Sequence, residues 1–272
     1  MSFIENNDVQ IYYEDYGEGK PVILIHGWPL SHKAWEGQVS TIVDAGYRCI
    51  TYDRRGFGQS SAPWGDYDYT TLASDLKALI DTLDLDSVTL IGFSMGGGEV
   101  VRYLTEYGDD KIEKAALVSS IIPLVPQKED NPDGVPQEAL DDILDAIKSD
   151  RVGFLTDFHK NFYNYEDNTD SMSEEQLHYD WSIASHASPQ ATFQCAKSWA
   201  TTDFRDELKN VSVPTLIIHG DADNIVPIET SAKQAAEGIP NNRFEIIKGG
   251  PHGLNVTHRD ELNKLLVDFL EE

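Results

Sequence analysis

Three residue types suited to acyl transfer recur in this chain, each directly behind an apolar run. Gly92-Phe93-Ser94-Met95-Gly96 follows the run 87–91 and precedes a helix-compatible stretch that begins at Gly97. A G-x-S-x-G pattern between a strand and a helix holds its serine on a turn so tight that only glycines two residues to either side avoid a clash. The start of that helix also offers free N–H groups to developing negative charge. A serine hydroxyl needs a base, and in strand-end sites of this kind the partners follow in the order serine, acid, histidine. His219-Gly220-Asp221-Ala222-Asp223-Asn224 lies behind the run 214–219 and offers two carboxylates, and Lys248-Gly249-Gly250-Pro251-His252-Gly253 lies behind the run 244–247. An imidazole at 252 can take the Ser94 proton and return it to a leaving group, while a carboxylate fixes its tautomer. A loop aspartate or histidine alone is ordinary turn chemistry; their order behind successive strands is what points to a nucleophilic serine.

The elements that must carry these residues are legible from periodicity. Residues 9–14 alternate like an exposed antiparallel strand, and 21–26 form a continuous apolar run of the kind buried on both faces. Further strands are expected at 48–53, 88–91, 115–118, 214–219 and 244–247, with helices at 35–45, 69–83, 100–107, 228–236 and 259–270. Strand and helix alternating in this way predict an α/β fold with a mostly parallel sheet covered on both faces. Between 123 and 205 the rhythm breaks, and helices are expected at 137–148, 151–162, 173–185 and 189–199, with Ser173 and Gln176 forming a capping box. So long a segment is no loop. It reads as a helical cap, or lid, inserted at the carboxyl ends of the strands, with 1–122 and 206–272 as the catalytic domain.

Composition narrows the partners. The 272 residues include 47 acidic and 21 basic side chains, a formal net charge of −26. Such a surface repels nucleic acid and anionic membranes, and its self-repulsion predicts a fold stabilised by salt. No segment approaches the roughly 18 apolar residues of a membrane span. The polar, acidic residues 1–8 have neither the basic nor the apolar region of a signal peptide, so a cytoplasmic location is expected, with Cys49 and Cys195 as buried free thiols. Gly92-x-Ser94-x-Gly96 lacks the G-x-G-x-x-G spacing of nicotinamide binding, and neither metal nor cofactor is expected.

Five motifs in chain order carry a resemblance: Ile25-His26-Gly27-Trp28-Pro29-Leu30-Ser31, Tyr52-Asp53-Arg54-Arg55-Gly56-Phe57-Gly58-Gln59-Ser60, the serine motif extended to Gly98, His219 to Asp223, and Gly250-Pro251-His252-Gly253. The chain resembles the α/β-hydrolase superfamily, and within it the esterases that include cofactor-free haloperoxidases, perhydrolases and bacterial aryl esterases. The resemblance implies an eight-stranded sheet and a triad of Ser94, Asp223 and His252, with Asp221 as the competing acid. It implies an oxyanion held by the backbone N–H groups of Trp28 and Met95. It also implies a homo-oligomer, trimer or hexamer. Asp53 and the residues 54–58 read as a structural turn rather than as catalytic groups.

Pro29 refines the expected activity. Proline confines the preceding residue to extended geometry, which holds the Trp28 carbonyl in one orientation where it can accept a hydrogen bond from attacking hydrogen peroxide. Trp-Pro here is similar to the haloperoxidase and perhydrolase members, so the resemblance implies that peroxide competes with water for the acyl group. It further places Phe93, Ile121, Val125, Phe158, Phe162, Trp199 and Ile225 around an apolar pocket suited to small aryl or alkyl esters. Lactone or C–C bond hydrolysis is compatible with the same triad. A slow-turnover ligand receptor would keep the pocket but not the rate. Epoxide and haloalkane chemistry is disfavoured, because it needs a carboxylate where Ser94 stands.

Overall fold

The computed structural model describes residues 2–272. Its strands are β1 (Ser2–Asn6), β2 (Val9–Tyr16), β3 (Pro21–Ile25), β4 (Arg48–Tyr52), β5 (Val88–Phe93), β6 (Ile112–Val118), β7 (Thr215–Gly220) and β8 (Asn242–Ile247). They form one sheet in the order β1-β2-β4-β3-β5-β6-β7-β8. β2 pairs antiparallel with both β1 and β4, and every other pairing, from β4 to β8, is parallel. The central strands are continuous apolar runs because helices exclude water from both faces: every residue of β3 and β5 is buried.

The helices are α1 (Glu36–Asp44), α2 (Tyr69–Thr82), α3 (Met95–Tyr107), α4 (Gln137–Phe162), α5 (Glu174–Ser185), α6 (Pro189–Thr201), α7 (Ala232–Gly238), α8 (Leu254–Thr257) and α9 (Arg259–Glu271). α2 packs on α3 and α1 on α9, while α4 packs on α5 and α6. The α/β class and the mostly parallel eight-stranded sheet are as expected. Periodicity alone misses β1, which has one buried residue, Ile4, and pairs only with β2 at the sheet edge. The helix expected from 228 starts at Ala232, since the backbone of Ser231 lies outside helical geometry at φ −121°, ψ −97°; its hydroxyl donates to Pro227 O at 2.7 Å. The two helices expected at 137–148 and 151–162 join in α4 across a kink at Asp150, whose carboxylate accepts from Gly153 N–H at 3.0 Å and so caps the second half. Ser173 caps α5 as read, its hydroxyl accepting from Gln176 N–H, but the Gln176 side chain turns to Asp180 instead of back to the cap.

Cys49 and Cys195 are free and fully buried, and burial pushes both thiols up to about 12. Met95 and Met172 are buried as well.

Candidate active site

β5 ends one residue before Ser94 and α3 starts one residue after it, so the serine alone makes the reversal. Its backbone lies at φ 54°, ψ −118°, a region an L-residue occupies only when its surroundings hold it there. Ser94 N–H donates to Val118 O at 2.9 Å, and Ser94 O accepts from Gly97 N–H at 3.1 Å. The flanking glycines are required by contact: a Cβ on Gly92 would sit 2.6 Å from Gly96 O, and one on Gly96 would sit 2.5 Å from Ile25 O. The strand and helix therefore touch backbone to backbone beneath the hydroxyl.

His252 reaches Ser94 from the loop after β8. Its Nε2 lies 2.9 Å from Ser94 Oγ, and its Nδ1 lies 2.7 Å from Asp223 Oδ2. A carboxylate can only accept, so Nδ1 carries the proton and Nε2 presents a lone pair to the serine. Phe162 and Phe93 flank the ring at centroid distances of 4.7 and 5.4 Å. Asp223 Oδ1 accepts from the N–H groups of Ile225 and Val226 at 2.9 and 2.8 Å, which fixes the carboxylate plane. Burial alone would raise this carboxyl, but the rings of His252 and His219 beside it hold it well below the usual carboxylate range. Asp221 is exposed, and its Oδ1 accepts from Gly249 N–H at 2.5 Å, bracing the loop that precedes His252. His219, fully buried with Nε2 3.1 Å from Asp223 Oδ2, was not singled out from the sequence as a site residue. Its signals there are its place at the end of the apolar run 214–219 and at the head of the motif that carries both acids.

Gly27 and Trp28 pass close over the serine: a Cβ on Gly27 would stand 3.1 Å from Ser94 Cβ. Pro29 is buried next to Trp28, and the peptide bond between them is cis. The Trp28 indole N–H donates to Thr192 O at 2.9 Å, tying this loop to α6. Met95 occupies the first position of α3, where an N–H has no acceptor within the helix.

Ser94 and His252 open into a cavity of about 620 Å³, lined also by Trp28, Ile121, Val125, Phe158, Trp199 and Ile225. Phe93 and Phe162 do not line it; they are drawn behind His252, where they pack on its ring and on each other at 5.9 Å. Phe154, Leu140 and Ile143 stand in the wall instead. Phe154 lies one helical turn from Phe158, a spacing that marks a shared face but not which way it points. Asp150 and Asp157 also line the cavity, and no lysine or arginine does.

Known proteins are similar to this chain in sequence and in the arrangement of elements. A family model described as the alpha/beta hydrolase fold matches residues 20–258. The chain is 37% identical over 266 residues to a non-heme chloroperoxidase of Kitasatospora aureofaciens, covering 97% of each chain. It is 35% identical over 274 residues to a bifunctional esterase/perhydrolase of Acinetobacter calcoaceticus, covering 99% of each. Among solved structures, a bromoperoxidase from Bacillus anthracis superposes with a TM-score of 0.97 at 49% identity, over 100% of this chain and 99% of that one.

Proposed function

The chain belongs to the α/β-hydrolase fold family, and we propose that it is a serine esterase acting on small aryl or alkyl carboxylic esters, with perhydrolase and cofactor-free haloperoxidase activity. The observation that carries this reading is the continuous array Ser94 Oγ, His252 and Asp223 at the base of an apolar cavity.

In this reading Ser94 Oγ bonds to the acyl carbon while its proton passes to His252 Nε2. The negative charge that develops on the acyl oxygen is received by the N–H groups of Trp28 and Met95, and such donors are each worth roughly 10²–10³ in turnover. Asp223 stabilises the imidazolium. Collapse breaks the ester C–O bond, and the alkoxide leaves as alcohol with the proton from His252. Water then attacks the acyl-serine, giving its proton to His252, and the carboxylic acid departs as Ser94 regains its hydrogen. When hydrogen peroxide attacks in place of water, the new bond is C–O–O and the product is a peracid. The peracid oxidises bromide or chloride in solution and is itself reduced to the acid, so no metal or haem is called for.

The aromatic wall of Trp28, Phe154, Phe158 and Trp199 favours compact apolar acyl and alcohol groups, and Asp150 and Asp157 disfavour anionic ones. Residues 123–205, which carry α4 to α6, act as the lid over the site. Assembly as a trimer or hexamer and a cytoplasmic location belong to the same reading; no helix of the described residues is long and apolar enough to cross a membrane. Turnover of p-nitrophenyl acetate by wild type and Ser94→Ala, with and without peroxide, is the deciding assay. Activity that survives in Ser94→Ala overturns the reading. For the choice of acceptor, Pro29→Leu is expected to lower the ratio of perhydrolysis to hydrolysis by freeing the Trp28 carbonyl, and an unchanged ratio removes Pro29 from the argument.

A further inference from the structure

The peptide unit that joins Gly27 to Trp28 is held from beneath by a buried polar network that the triad does not use. His26 follows β3 and is fully buried. Its Nε2 lies 3.0 Å from the backbone nitrogen of Arg54, and its Nδ1 lies 2.8 Å from Gly27 O. A backbone N–H can only donate, so Nε2 must carry the lone pair and Nδ1 the proton. The Gly27 carbonyl can only accept, which agrees. Arg54 Nη1 is also 3.4 Å from Nδ1, but that distance is long, and the ring has no second lone pair to offer it. Burial, and then the adjacent Arg54 charge, push the His26 pKa well below the ordinary histidine value, so the ring stays neutral in this one tautomer.

Arg54 in turn is immobilised. Its Nη2 donates to His26 O at 2.7 Å, and its Nε donates to Glu99 Oε1 at 2.6 Å, while the Tyr52 hydroxyl donates to Glu99 Oε2 at 2.6 Å. Arg54 and Glu99 are both buried, and Glu99 lies one turn into α3 from Met95. The network therefore joins the loop after β3 to the helix that begins behind the nucleophile.

We propose that His26 is a positioning residue for acyl transfer: by donating from Nδ1 to Gly27 O, which also accepts from Leu30 N–H at 3.1 Å, it completes the pair of bonds that fixes the plane of the Gly27–Trp28 peptide, and with it the direction of the Trp28 N–H. Gly27 O and Trp28 N–H belong to one rigid peptide unit, so fixing one end aims the other. Hydrogen bonding at the carbonyl also polarises the N–H and strengthens it as a donor to negative charge. The Arg54–Glu99 pair keeps the donors on the loop and on α3 in fixed relation. This inference rests on the serine-esterase reading, which Ser94→Ala tests separately.

The test compares wild type, His26→Leu and His26→Gln on p-nitrophenyl acetate, with rates expressed per serine titrated by a phosphonate ester. His26→Leu is expected to lower kcat about ten- to a hundredfold with little change in KM, because the lost orientation matters only when charge develops. Affinity for phenylboronic acid, which forms a tetrahedral adduct on the serine, should fall in parallel. His26→Gln, with a side-chain N–H in place of the ring N–H, should recover part of both. A kcat per titrated serine within about twofold of wild type overturns the proposal, since a merely structural role alters only the folded fraction. If neither variant folds, nitrogen-15 NMR of histidine-labelled wild type decides. A neutral, Nδ1-protonated His26 throughout the active pH range supports the proposal, and an Nε2-protonated or titrating ring overturns it.

Discussion

Two buried aspartates, one at the sheet end and one among the helices above it, lie at opposite extremes of acidity. Asp223 sits between two histidine rings and two backbone N–H groups, and burial, which would raise it, is overcome by those partners. Asp180 on α5 is buried to a similar degree but meets only the Tyr163 hydroxyl at 2.7 Å and the Gln176 amide at 3.3 Å. Burial there pushes the carboxyl up to about 6. Low dielectric alone does not determine what a carboxylate becomes; the number and charge of donors converging on it do. The sheet end is built to keep a negative charge, whereas the helical segment tolerates one at a cost to stability.

The largest test of that contrast is at the sheet end. Asp223→Asn should cut kcat by about 10⁴, by removing the group that fixes the His252 tautomer. Asp221→Asn, which alters only a loop brace, should leave turnover near wild type. The reverse outcome would transfer the acid role to Asp221 and dissolve the contrast. At the helical segment, Asp180→Asn should stabilise the protein. The carboxyl is raised in the fold, so the folded state binds the extra proton and wild type loses stability as pH rises from about 3.8 through about 6. The variant should therefore exceed wild type by about 2–3 kcal/mol at neutral pH in denaturant unfolding, the gap closing below about pH 4. A gap independent of pH would mean that Asp180 is not strained by its charge. Asp223, with its depressed carboxyl, has the opposite sign: its contribution is present above the unfolded value and is lost as pH falls through the folded one. The smallest effect concerns the whole surface. With a formal charge of −26, the melting temperature should rise by a few degrees between low and near-molar sodium chloride, and a flat response would remove self-repulsion from the account.

The parts of the site held by backbone contact are those most legible in the chain. Gly92 and Gly96 are dictated by approaches of 2.6 and 2.5 Å, and such constraints leave a fixed spacing in the sequence. The acid loop and His252 could be placed because each follows a strand, β7 fully buried and β8 at the sheet edge, while the choice of Asp223 over Asp221 came from the family resemblance and not from position. The cavity wall was less legible, since which face of α4 looks inward depends on the kink at Asp150 and on packing against α5 and α6. That is why the sequence does not mark Phe154 as a wall residue, while Phe162 and Phe93, both apolar and in the right segments, back the histidine. His26 was visible only as part of a motif, because nothing in a sequence distinguishes a histidine that donates to its own neighbour's carbonyl. β1 escaped for the opposite reason: an edge strand with one buried residue, Ile4, carries almost no apolar pattern.

The sulfur atoms acquire a meaning from the acceptor chemistry. An enzyme that releases peracid works in a solution hostile to thiols and thioethers, and oxidation proceeds through an exposed thiolate or an accessible thioether. Cys49 and Cys195 are enclosed and remain protonated, and Met95 and Met172 are enclosed as well, so every sulfur among the described residues is withheld from the product. The dense core that holds the sheet together thus also keeps its sulfur out of reach of a dissolved oxidant.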